Sequence, residues 1–96
     1  MSAYWINVFL EVRDPEKVAR YAELATPAIA EAGGRFLARG MPAAVFEQGR
    51  DTRTVIIEFP SVEAARACYD SPAYARSLEA LGDGALRDIR IVPGVD

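Results

Sequence analysis

The 96-residue chain contains no histidine and only one cysteine. These two shortages remove whole classes of chemistry. A Ser-His-Asp or Cys-His nucleophilic arrangement cannot be assembled, nor can a zinc site of histidine and cysteine ligands. With Cys68 alone, no intrachain disulfide can form, and a reducing, cytoplasmic setting is expected. No Lys or His flanks Cys68 to lower its pKa, so a small packing residue is expected there, not a reactive thiol. There is no P-loop and no GxGxxG. No apolar run approaches the ~18 residues a membrane-spanning helix needs. The N-terminus has neither a basic region nor an apolar core, so no signal peptide is expected. Charge of one sign never accumulates. The net charge is −3, and eleven basic residues, ten of them arginine, are interleaved with fourteen acids. Nucleic acid, which calls for a basic patch, is not an expected partner.

What is present is an ordinary globular composition, 51% hydrophobic and 26% charged, at a length that suits one domain over residues 1–96. The most informative stretch runs from Val55 to Tyr74. Val55, Ile56 and Ile57 form a β-branched run suited to a central strand, Thr54 to Phe59, which Pro60 ends. Ser61 follows as a helix N-cap with Glu63 in the first turn, and Val62, Ala65 and Tyr69 share one helical face. Asp70-Ser71-Pro72 restarts the pattern, with Ser71 as cap and Pro72 at the first helical position.

Tyr4 to Val12 alternates as a strand. Tyr4, Ile6, Val8, Leu10 and Val12 lie on a wholly apolar face, which is expected to carry the helices. Trp5, Asn7, Phe9 and Glu11 lie on the other face. That face is half apolar and is expected to meet a second copy of the chain, with Trp5 and Phe9 as anchors and Asn7 as a hydrogen-bonder. Asp14-Pro15-Glu16 opens a helix whose inner stripe is Val18, Tyr21, Ala22, Ala25 and Ile29. A kink or restart is expected at Pro27, and Gly33-Gly34 ends the element. Arg35 to Arg39 reads as a short strand, broken at Gly40-Met41-Pro42 and resumed over Ala43 to Glu47. Gln48 to Asp51 then turns it into a hairpin with Thr54–Phe59. Ile89, Ile91 and Val92 make a last strand. The order β-α-β-β-α-β predicts an α+β, ferredoxin-like sandwich: a four-stranded antiparallel sheet with helices on one face and a homodimer through the other.

Several blocks at fixed spacing carry a resemblance. They are Asp14-Pro15, Gly33 to Gly40, Ile57-Glu58-Phe59-Pro60-Ser61, Ala64-Ala65-Arg66-Ala67 and Tyr69-Asp70-Ser71-Pro72-Ala73-Tyr74. Over nearly its whole length the chain resembles the domain-of-unknown-function 1330 family. The resemblance implies the dimeric α+β barrel superfamily, in which two ferredoxin-like protomers pack sheet to sheet. It implies no reaction. Cys68 stands where the family often has Trp, and Val92-Pro93-Gly94 where it usually has Val-Glu-Gly. Gly82-Asp83-Gly84 replaces an Ala-rich turn, so the last helix is expected to stop early. Haem-degrading relatives on the same superfold use an axial histidine that this chain lacks.

Carboxylates, arginines, tyrosines and Asn7 remain for chemistry. Glu58 sits out of phase with Val55, Ile57 and Phe59, and Arg35 and Arg39 are expected to share one face of the neighbouring strand. A Glu–Arg pair fixing a dimer interface is one reading of these three; a general base or an anion site is the other. Glu58 is the only candidate catalytic residue. Tyr69 and Tyr74 read either as core packing or as the wall of a pocket for a small organic ligand, and the Arg50–Arg53 turn as a solvated loop. No cofactor and no metal are expected. Three functions stay open: a small ligand-binding dimer, a cofactor-independent enzyme of monooxygenase or isomerase type acting on a small hydrophobic substrate, and a structural or regulatory partner subunit.

Overall fold

The computed structural model describes residues 1–95. Four strands, β1 (Ala3–Val12), β2 (Arg35–Gly40), β3 (Thr54–Phe59) and β4 (Ala85–Pro93), form one sheet in the order β2-β3-β1-β4. Every pairing is antiparallel. Helix α1 (Pro15–Glu31) connects β1 to β2, and helices α2 (Val62–Tyr69) and α3 (Pro72–Leu81) together connect β3 to β4. This is the α+β, ferredoxin-like arrangement that the element order predicts. The backbone measures 34 × 33 × 15 Å, a slab in which the helices cover one side of the sheet. No described helix is long and apolar enough to cross a membrane.

Local chemistry starts the three helices and ends α1 and β3 where the sequence says it should. The Asp14 carboxylate accepts from the backbone N–H of Glu16 at 3.1 Å and of Lys17 at 3.3 Å, satisfying donors the helix cannot satisfy itself. Ser61 Oγ accepts from Ala64 N–H at 3.0 Å and Ser71 Oγ from Tyr74 N–H at 3.2 Å. Each such cap contributes about 1 kcal/mol. At the end of α1, Gly33 takes φ +94°, a conformation only glycine adopts cheaply. Gly34 is required by crowding. A Cβ there would lie 2.6 Å from Ile29 Cγ2 and 2.9 Å from Phe59 Cζ, so this glycine lets α1 and β3 close on each other.

Three expectations are corrected. Helix α1 runs through Pro27 as one element, so the helix does not restart there. Pro27 is on the exposed side, while Ala25, Ala28 and Ile29 around it are buried, and their packing outweighs one lost backbone hydrogen bond. Residues 43–47 do not resume a strand; β2 ends at Gly40 opposite Thr54, and an irregular loop over 41–53 follows. Gly40 at φ +153° and the missing N–H of Pro42 account for that ending.

The third correction concerns β1. Ala3, Trp5, Asn7 and Phe9 are buried against the helices, and Tyr4, Ile6, Val8 and Leu10 face the uncovered side. The assignment of Trp5, Asn7 and Phe9 to a dimer face is therefore reversed. The physical reason is size. Trp5 stacks on Phe59 at 5.7 Å between ring centroids and meets the edge of Tyr74 at 5.2 Å. Only the deep layer under the helices holds rings of that bulk, whereas the shallow aliphatic face is the one left uncovered.

Candidate ligand-binding site

The helix-facing side of the sheet is built in rungs. Trp5 pairs with Ile57, which pairs with Phe36; the next rung is Asn7, Val55 and Arg39. Phe9 follows, its N–H donating to the Arg53 carbonyl at 3.0 Å. Over these rungs lies α1, which presents Val18, Ala19, Ala22, Ala25 and Thr26. Small side chains on the roof leave space above the floor. The result is a cavity of about 340 Å³ between α1 and the sheet, mostly apolar, with Tyr21 and Ile29 completing its walls. That volume falls in the range of small-molecule sites.

Two buried polar groups of its lining have no hydrogen-bond partner among the described residues: Asn7 Oδ1 and Trp5 Nε1. Asn7 is only 4% exposed and Trp5 is fully buried. An unsatisfied buried polar group costs about 1–3 kcal/mol. One acceptor and one donor unused beside the same cavity are what a bound molecule with complementary groups would meet.

Arginines mark one side of the cavity. A bulge between Phe36 and Ala38 inserts one residue into β2, so Arg39 falls on the helix side opposite Val55 while Arg35 stays on the uncovered side opposite Glu58. The expectation that Arg35 and Arg39 share a face is thereby overturned. Arg39 lies over the Phe36 ring at 4.5 Å and lines the cavity, as does Arg53. Among the described residues, no carboxylate, thiol or imidazole lines the cavity.

Beyond the Phe9 end, the Tyr21 and Tyr74 hydroxyls share a hydrogen bond of 2.6 Å, tying α1 to α3. The Arg87 guanidinium lies 4.5 Å from the centre of the Tyr21 ring. Burial, reinforced by the neighbouring Tyr21 and opposed by Arg87, pushes the Tyr74 phenol far above the ordinary tyrosine range. Burial also pushes the Cys68 thiol up, which makes it a packing group.

The remaining candidates lie elsewhere. Glu58 is on the uncovered face, where Arg35 Nη2 donates to it at 2.6 Å and the Tyr4 hydroxyl at 3.4 Å. Tyr69 is 41% exposed and lines a separate open groove with Val62, Arg66, Ile89 and Ile91. Tyr74 is wholly buried in the aromatic cluster beneath α3. Of the ligand-site candidates only Arg39 reaches the cavity. Asn7 and Arg53 reach it too, and the sequence pattern assigned them to an interface and a solvated turn. Their signal was available: Arg53 continues the inward phase of Val55, Ile57 and Phe59. Asn7 is the one polar residue between two large aromatics of its own phase. Among the described residues, no three His, Cys, Asp or Glu side chains converge to hold a metal ion.

The family model described as a domain of unknown function (DUF1330) matches residues 2–95. No curated protein matches the chain. Solved structures share its fold at low identity. A protein of unknown function from Rhodopseudomonas palustris is 16% identical, with a TM-score of 0.75, over 99% of this chain and 83% of that one. A cofactor-independent oxygenase from Streptomyces nogalater is 17% identical, with a TM-score of 0.66, over 99% and 94%. A candidate antibiotic biosynthesis monooxygenase from Nitrosomonas europaea is 18% identical, with a TM-score of 0.63, over the full length of both.

Proposed function

The chain belongs to the family described as a domain of unknown function (DUF1330), and we propose that it acts as a homodimer whose protomers each bind a small organic molecule under α1. One observation carries the binding reading. A cavity of about 340 Å³ is kept open with Asn7 Oδ1 unpartnered in its lining. A chain selected for stability alone would fill that space or place an aliphatic residue at the position. The homodimer rests on the uncovered sheet face. Its middle is aliphatic, with Ile6, Val8 and Ile56, and its charges, Arg35–Glu58 and Arg90–Asp88, are already paired in ion pairs of 2.6 and 3.0 Å.

Thermal denaturation in the presence of a panel of naphthols and aromatic acids tests the binding reading. A ligand at 100 times its dissociation constant stabilises by about 2.7 kcal/mol, which moves the midpoint of a domain this size by several degrees or more. The expected result is a hit that disappears in Ala25→Leu, since Ala25 is buried in the cavity roof. No hit across the panel overturns the reading.

A second reading is oxidation without a cofactor, favoured by the likeness to the Streptomyces nogalater oxygenase, which this chain matches over nearly its whole length. Among the described residues the lining offers no carboxylate or imidazole base, so in that case the substrate would have to supply its own reactivity and the protein its orientation. Oxygen uptake with an easily oxidised naphthol, above the protein-free rate and lost in Ala25→Leu, distinguishes a catalyst from a binding protein.

A further inference from the structure

We propose that the molecule bound under α1 is a hydroxy-substituted aromatic carboxylic acid, its carboxylate held between Arg39 and Arg53 and its hydroxyl against Asn7. This rests on the cavity being the ligand site. Arg39 pairs with Val55, and Arg53, the last residue of the 41–53 loop, precedes β3 two residues before Val55 and lines the same cavity. The two arginines thus lie at the same end of the β2–β3 pairing and line the same cavity. None of the four ion pairs of the described residues involves either one. Among the described residues, two guanidinium groups therefore stand at one rim outside any ion pair, in a chain whose net charge is −3.

Repulsion between them is relieved by an anion, and a planar carboxylate matches the donor fork of a guanidinium. Arg39 is partly fixed beforehand by its seat over Phe36. The rest of the ligand follows from the same rung. Asn7 and Arg39 flank Val55 on either side, two strand spacings apart, or about 9.5 Å between backbones. Asn7 Oδ1 is buried and unpartnered, so the group arriving there donates a hydrogen bond. An apolar body with a carboxylate at one end and a hydroxyl at the other fits a mostly apolar space of about 340 Å³.

Titration calorimetry with 6-hydroxy-2-naphthoic acid, its methyl ester and 2-naphthoic acid tests each part. Wild-type protein is expected to bind the hydroxy acid at least about tenfold more tightly than the ester, the scale of a charge-assisted hydrogen bond. That preference should shrink with added salt, and it should vanish in Arg39→Gln/Arg53→Gln. Arg39→Lys, which keeps the charge but not the fork, should retain part of it. Loss of the hydroxyl in 2-naphthoic acid should weaken binding to wild type but not to Asn7→Leu. Equal binding of acid and ester, both abolished by Ala25→Leu, overturns the carboxylate clamp and leaves the cavity standing. An acid preference that survives in the double variant also overturns the clamp. No binding of any probe overturns both the clamp and the cavity reading.

Discussion

In the proposed site, Asn7 is where stability and binding pull in opposite directions. Its amide oxygen is buried without a partner, between Trp5 and Phe9 on the inward phase of β1. Replacing it by leucine removes an unsatisfied acceptor and adds apolar volume toward the cavity. The expected result for Asn7→Leu is a gain of about 1–3 kcal/mol in unfolding free energy, read as a higher midpoint in a denaturant melt. A hydroxy acid that binds wild type should at the same time lose affinity. A loss of stability instead would mean that the amide is engaged with groups of the protein itself. Single residues were unevenly legible in the sequence. The Glu58–Arg35 pair follows from a charged residue in phase on each of two adjacent strands, and it is present at 2.6 Å. The place of Arg39 does not follow, because a one-residue bulge reverses every side chain after it. Nothing in Arg35-Phe36-Leu37-Ala38 marks that bulge.

At the scale of elements, α1 and α3 are held together by the hydroxyl pair of Tyr21 and Tyr74. Burial raises the folded-state pKa of Tyr74 far above the value of about 10 that the phenol has in an unfolded chain. The folded state therefore keeps a proton that the unfolded state releases as pH climbs through 10. The stabilising contribution is fully present below pH 10 and is lost above it, at up to about 1.4 kcal/mol per pH unit for the one proton. Tyr74→Phe should be less stable than wild type at neutral pH by about 1–2 kcal/mol, because the Tyr21 hydroxyl loses its partner. It should also show a shallower decline between pH 10 and 11.5. Urea melts across that range measure both effects, and parallel slopes for the two proteins would assign the alkaline transition to another group. The elements themselves were largely legible, since Asp14, Ser61, Ser71, Pro60 and Gly33 act through local backbone chemistry that needs no tertiary context. Pro27 was misleading for the complementary reason: packing of Ala25, Ala28 and Ile29 against the core decides that segment.

For the molecule as a whole, both faces of β1 are apolar enough to be buried, and hydrophobicity alone does not say which one meets the helices. Side-chain size does. The indole and phenyl rings of Trp5 and Phe9 go beneath α1–α3, and Ile6, Val8 and Ile56 are left on an uncovered face. The proposed homodimer then rests on these residues instead of Trp5 and Phe9, which makes it sharper as a test. Ile6→Lys sets a charge in the middle of the uncovered face, directly opposite Ile56, and touches nothing on the helix side. Sedimentation at micromolar concentration should give a dimeric mass for wild type and a monomeric one for the variant, with helix content unchanged. A monomeric wild type would remove the sheet-to-sheet dimer. The variant then answers a second question. The cavity is walled by α1, β1, β2 and β3 of a single protomer, so a monomeric Ile6→Lys should bind the same aromatic acid with unchanged affinity. If affinity falls together with dimerisation, the partner subunit closes the site, and the 41–53 loop beside Arg39 and Arg53 is the segment through which it would reach.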